Sequence, residues 1–270
     1  MHSFRGGTGK SNIAASLATA LALQGRRVAV VDTDIQSPGI HILFGLAEDR
    51  MSPALNDFLW GRCAIEAAAH DVSADAVRDA GGCVLLVPSS IKASEIARVL
   101  REGYDVARLN EGFQALIDRL RLDHLLIDTH PGLNDETLLS IAVSDVLLLV
   151  LRPDRQDFQG TAVTAEVARR LGVPELRLVV NKYAPWLDRD ALCRQVEATY
   201  GAPVAGMFAH SDEMLELQSG GVFALRYPEH EFSRGVARMA LGLLDAPAAS
   251  SPPPGPAPRS ARSAPSVPSP

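Results

Sequence analysis

The sequence predicts an α/β protein built on a mainly parallel, doubly wound sheet, and three observations carry that expectation. Short runs of β-branched and leucine residues alternate with helical patterns along most of the 270 residues. These runs are apolar throughout rather than alternating, the pattern of a parallel strand covered by helices on both faces. Several end in an acid or an amide followed by turn residues, which places polar groups along one edge of the sheet, outside the carboxyl ends of the strands.

Taken in order, the chain opens on Met1-His2-Ser3 and then Phe4-Arg5-Gly6-Gly7-Thr8-Gly9-Lys10-Ser11, with three glycines in four positions. Glycines there let backbone N–H groups converge with no Cβ in the way, so the loop suits a phosphate. Lys10 can reach β- and γ-phosphates, and the Ser11 hydroxyl is of the kind that ligates Mg²⁺ in such loops. Gly6, Gly7, Thr8, Gly9, Lys10, Ser11 and Asn12 are the candidate nucleotide contacts. From Asn12 to Gln24, Ile13, Leu17 and Leu21 recur at four-residue spacing with alanines between them. A helix N-terminus therefore faces the phosphate position. The strand such a loop leaves has only Met1, His2 and Ser3 available, so the expectation is a stub or a start upstream of Met1.

Val28 to Asp32 is the next buried strand, broken into a loop by Asp32-Thr33-Asp34-Ile35-Gln36-Ser37-Pro38-Gly39. Between 40 and 79 the pattern is irregular, with short helices expected at Leu55 to Trp60 and Ile65 to Ala69. A strand at Cys83 to Val87 is followed by helices at Ser94 to Glu102 and Val106 to Arg121, whose basic residues read as a solvated face. The strand His124 to Asp128 ends in an acid and the turn Thr129-His130-Pro131-Gly132. Val146 to Leu151 is a further strand, and a helix at Phe158 to Leu171 carries Val163 and Val167 on one face. Leu176 to Lys182 is a strand tipped by Asn181-Lys182. A helix at Leu187 to Tyr200, a strand at Val204 to Phe208 and a helix at Glu231 to Leu244 close the fold. Nine of the 18 prolines fall after Ala246, so residues 1–245 are expected to form one domain and 246–270 a disordered Pro/Ser/Ala-rich tail.

The loop lacks a glycine at Phe4 and carries a basic residue before the glycine pair, and in this it resembles the deviant loop x-K-G-G-x-G-K-[ST] of the MinD/ParA family. The resemblance implies a P-loop NTPase fold of the MinD/ParA type and an ATP·Mg²⁺ site. Arg5 stands where the family's signature lysine crosses a dimer interface to the partner's nucleotide, and would act in trans. Asp34 matches the switch I aspartate that orients the attacking water and helps the Mg²⁺ shell. Asp128 matches the Walker B acid and Gly132 the switch II glycine, whose backbone N–H can sense the γ-phosphate. Asn181 matches the adenine-binding amide, since an amide can pair with N7 and the exocyclic amine of adenine. Ala184, where GTPases of this superclass carry Asp, favours ATP. Lys10, Asp34 and Arg5 are thus the catalytic candidates, and Ser11, Asp34 and Asp128 the metal candidates. The implied activity is a switch in which Mg-ATP closes a homodimer and slow hydrolysis reopens it, positioning a cargo with the help of an activating protein. The alternatives are an ATP-gated scaffold with negligible hydrolysis, and an ATP-dependent synthetase or kinase of the same superclass.

Composition narrows the partners. A net charge of −6 gives no broad basic surface, so nonspecific DNA binding is not indicated. Cys63, Cys83 and Cys193 are isolated, which fits a reducing cytoplasm and neither a disulfide framework nor a metal or iron–sulfur centre. No apolar run approaches the roughly 20 residues of a membrane span. Arg259 and Arg262 are the only charges after Asp245, unlike the basic amphipathic membrane helix that ends MinD proteins. His210-Ser211-Asp212 holds the residue types of a hydrolytic triad, but consecutive side chains cannot line up in relay order.

Overall fold

The computed structural model describes residues 1–245, and the expected Pro-rich tail lies outside the described residues. In chain order the elements are α1 Lys10–Ala22, β1 Arg27–Asp32, α2 Ile40–Leu43, α3 Leu55–Leu59, β2 His70–Asp71, α4 Asp75–Asp79, β3 Cys83–Val87, α5 Ala93–Glu102 and α6 Val106–Leu120. They continue as β4 His124–Asp128, α7 Asp135–Ala142, β5 Val146–Leu151, α8 Arg155–Arg170, β6 Glu175–Tyr183, α9 Arg189–Tyr200, β7 Val204–Ala209, α10 Asp212–Glu216, α11 Phe223–Arg226 and α12 Glu231–Leu244.

The strands form two half-sheets, β2-β3-β1-β4 and β5-β6-β7, and every pairing is parallel except that of the edge strand β2. Residues 1–3 run between the halves. His2 makes an isolated parallel bridge to Leu149, its N–H donating to the Leu148 carbonyl at 2.9 Å while the Val150 N–H donates to His2 O at 2.8 Å. On the other side the Met1 amine donates to Ile127 O at 2.6 Å, and the Thr129 N–H reaches Met1 O. Residues 1–3 thus link the two half-sheets, with a single bridge on the β5 side.

Helix α1 is buried around its whole circumference, because alanines interleave with Ile13, Leu17 and Leu21. A helix apolar on all sides belongs between layers, and α1 packs against β1 on one side and α11 and α12 on the other. Truncating Leu17 to alanine would cost about 2–5 kcal/mol at such a site. Burying α1 this deeply fixes its N-terminus, and the loop before it, against the strand tips.

Three local expectations are corrected. Val163 is exposed on α8, which turns Asp157, Gly160, Thr161, Thr164, Ala165 and Ala168 inward instead. The turn at Ile65–Ala68 is 3-10 rather than α. The basic face of α5 and α6 is not simply solvated: the Arg98 guanidinium lies 3.8 Å from the Trp60 ring centroid, and Arg108 donates to Phe58 O at 2.8 Å.

Candidate functional site

The register of the central strands builds the acid side of the site. β1 pairs with β4 so that Asp32 stands beside Asp128, both at the carboxyl ends of their strands and both buried. Asp32 accepts the N–H groups of Asp34 at 3.0 Å and Gly39 at 3.4 Å, which folds the following loop back over the strand end. Burial, then the neighbouring Asp128 charge, pushes the Asp32 carboxyl well above the ordinary range. Asp128 is also raised by burial, against the pull of Ser11 and Lys10, and its Oδ1 is buried with no hydrogen-bond partner. Asp34 is half-buried, raised by desolvation, and accepts the Ser37 N–H at 3.1 Å.

Opposite these acids the glycine-rich loop turns through left-handed conformations at Gly7 (φ +75°) and Gly9 (φ +93°). Gly9 caps α1, so the free N–H groups of the first turn open toward the strand tips. Lys10 is buried at the head of the helix; desolvation lowers its pKa while Asp128 and Asp34 hold it charged. Lys10, Ser11, Asp34 and Asp128 are therefore brought together.

A divalent cation fits this donor set. Two buried carboxylates side by side, one with an orphaned oxygen, are costly without a cation beyond Lys10. Hard oxygen donors of this kind suit Mg²⁺. Among the described residues no three His, Cys, Asp or Glu side chains come together to hold a metal by themselves, here or elsewhere, so a cation at this site would need phosphate and water oxygens to complete its shell.

Other candidates stand differently from expectation. The Asn181 amide donates to Thr8 O at 2.7 Å, so one of its two Nδ2 hydrogens holds the loop. The Gly132 N–H, at φ +88°, donates to Ser3 O at 3.1 Å instead of standing free for a phosphate. Arg5 points along its own chain to Asp154 and Asp157 at the start of α8, at 3.7 and 3.8 Å. Beside the loop a cavity of about 200 Å³ is lined by Gly9, Asn12, Asn181, His210, Met214 and Phe232 among others. His130 is occupied by the Pro131 carbonyl, 2.6 Å from Nδ1.

Sequence reasoning missed the parts that two residues play in holding the loops. Asp32 was read only as a strand end, although the D-x-D spacing lets the first acid anchor the loop that carries the second. Lys182 sits at φ +56° in an irregularity between β6 and β7, and that twist aims its Nζ at Gly7 O, 2.9 Å away. Nothing in the periodicity marks it.

A parallel sheet whose glycine-rich loop, helix N-terminus and strand-end acids converge in this way defines a phosphate-loop nucleotide-binding protein. More particularly, the chain belongs to the CobQ/CobB/MinD/ParA nucleotide binding domain family, CbiA, whose profile matches residues 1–222. It is similar to an uncharacterised ATP-binding protein of Methanocaldococcus jannaschii, 27% identical over 243 residues that cover 90% of this chain and 85% of the relative. Among solved structures it resembles the cell division ATPase MinD of Pyrococcus furiosus, with a TM-score of 0.76 at 25% identity, covering 90% of this chain and 96% of that one. The septum site-determining protein MinD of Pyrococcus horikoshii, solved in complex with Mg-ADP, shares the fold with a TM-score of 0.75 at 21% identity, over 90% and 93% of the two chains.

Proposed function

We propose that the chain is an ATPase of the MinD/ParA type, in which Mg-ATP binding pairs two copies and slow hydrolysis separates them, making it a positioning switch for a cargo. The observation that carries this reading is the convergence of Lys10, Asp34 and the partnerless Asp128 Oδ1 on one glycine-rich loop. Lys10 and the loop amides hold the charge of the β- and γ-phosphates. Ser11, Asp128 and Asp34 would hold the cation, which when bound neutralises the phosphate oxygens. Asp34, half-exposed at the mouth of the site, orients a water toward the γ-phosphate, and Asp32 positions Asp34 through its backbone N–H. Asn12 and Asn181 would meet the base, a reading supported by the cavity that both of them line. The Mg-ADP bound by the P. horikoshii MinD supports this choice of ligand. Among the described residues no helix is long and apolar enough to cross a membrane, and a cytoplasmic site of action is proposed with that.

A second reading, an ATP-gated scaffold that scarcely hydrolyses, is favoured by one observation: Arg5 is engaged within its own chain. Single-turnover hydrolysis with Lys10→Ala and Asp34→Ala variants separates the two. Lys10→Ala should lose ATP binding; Asp34→Ala should keep ATP and accumulate as the paired form. Hydrolysis by Asp34→Ala at the wild-type rate would overturn the catalytic assignment, and no hydrolysis by wild type would leave the scaffold.

A further inference from the structure

We propose that Arg5 is latched within its own chain: Asp154 and Asp157 hold its guanidinium against α8, and it must leave them before it can reach a nucleotide bound by a second copy. This rests on the ATP-driven pairing set out above and assigns its control to the start of α8.

Asp157 makes the case. It is buried, and its Oδ2 is taken by the backbone N–H and Nε of Arg152, both at 3.1 Å. Its Oδ1 has no hydrogen-bond partner, and the charge facing it is Arg5 Nε at 3.8 Å. A buried carboxylate left half-paired attracts any cation that can approach. Asp154 adds a contact at 3.7 Å from Arg5 Nη1 and shares its other oxygen with Arg152. Two acids thus hold two arginines, and the guanidinium fork lets Arg5 touch both acids at once, which a lysine ammonium could not do.

An independent contact holds the neighbouring residue to the same helix. The Phe4 ring packs where Gly160 has no side chain; a Cβ on Gly160 would stand 1.9 Å from the ring. Gly160 lies one turn along α8 from Asp157, on the same face. The front of the phosphate loop is therefore docked on α8 by two consecutive side chains. The hold is reversible: both Arg5 contacts are longer than a charge-assisted hydrogen bond, and the Arg5 side chain is 39% exposed.

The test replaces the acids with amides in the full chain. Asp154→Asn keeps the helix cap, because the amide oxygen can still accept the Gln156 and Asp157 N–H groups. Asp154→Asn/Asp157→Asn removes both charges. Two readouts are taken: the rate at which phenylglyoxal modifies Arg5, followed by peptide mass, and the protein concentration at which pairs form with Mg and a slowly hydrolysed ATP analogue. The latch predicts faster Arg5 modification and pairing at about three- to tenfold lower concentration, the scale of one or two part-exposed ion pairs. Unchanged Arg5 reactivity overturns it, as does weaker pairing by the freed arginine. If the double variant misfolds, the single Asp154→Asn decides by the same reactivity. Should Arg5 become more reactive while neither form pairs despite binding the analogue, the latch stands and the pairing reading falls.

Discussion

The Asn181 amide donates to the Thr8 carbonyl oxygen at 2.7 Å, joining residues 173 positions apart. A side chain read from sequence as the reader of the base is, in the folded chain, also a tie that holds the phosphate loop. Asn181→Asp keeps an oxygen for the base but cannot donate to Thr8. It should weaken ATP and inorganic triphosphate alike, by about tenfold or more, since a buried acceptor is left unpaired. Calorimetric titration with both ligands checks this. A residue that only read adenine would leave triphosphate binding unchanged.

Gly9→Ala and Gly82→Ala separate site from scaffold. A Cβ on Gly9, at φ +93°, would sit 2.4 Å from Asn181 Nδ2, whereas one on Gly82 would sit 1.9 Å from Ala22 O. Both should lower stability, by about 1–3 kcal/mol or more. Only Gly9→Ala should also lower nucleotide affinity in the folded fraction, as equilibrium binding and urea denaturation together would reveal.

Asp32→Asn keeps one oxygen, enough for the Asp34 N–H at 3.0 Å, gives up only the longer 3.4 Å bond from the Gly39 N–H, and removes one of two adjacent buried acids. It should fold and bind nucleotide, whereas Asp32→Ala, which leaves both N–H groups unpaired, should lose about 1–3 kcal/mol. Thermal melts without and with Mg-ATP measure the contrast.

His2 supplies a pH dependence. Burial, reinforced by the Met1 amine and Lys10, lowers its pKa from 6.5 to about 3, while its Nδ1 lies 2.7 Å from the Thr129 hydroxyl. The unfolded chain takes up a proton near pH 6.5 that the folded chain refuses. His2 therefore contributes stability that is present above pH 6.5 and is lost as pH falls toward 3. Between pH 7 and 5 the wild type should lose about 2 kcal/mol more than His2→Asn. Denaturant midpoints at the two pH values test the difference.

Much of this architecture was legible in the residues. Strands at 83–87, 124–128 and 146–151 match to the residue because a strand buried on both faces is an unbroken apolar run with sharp polar ends. The loop was legible because its glycines have one steric purpose. What escaped depended on distant partners. The inward stripe of α8 is Gly, Thr and Ala, so hydrophobicity pointed to Val163 instead. Helix α7 is only eight residues long, too short for a periodic signal, although Asn134 caps it by accepting the Thr137 N–H. The left-handed Lys182 and the Arg5 ion pairs arise from register and packing, and no local pattern encodes them.

The three residues at the amino end have a consequence for how the molecule responds to its ligand. Because the backbone of Met1 and His2 bonds to β4 on one side and β5 on the other, a nucleotide clasped by the loop just beyond them would act as a rivet across that seam. Emptied, the protein should loosen along this line before anywhere else in its core. Amide hydrogens of Thr129 and Val150 would then exchange with solvent ahead of those in β1 and β3, and slow when ligand returns.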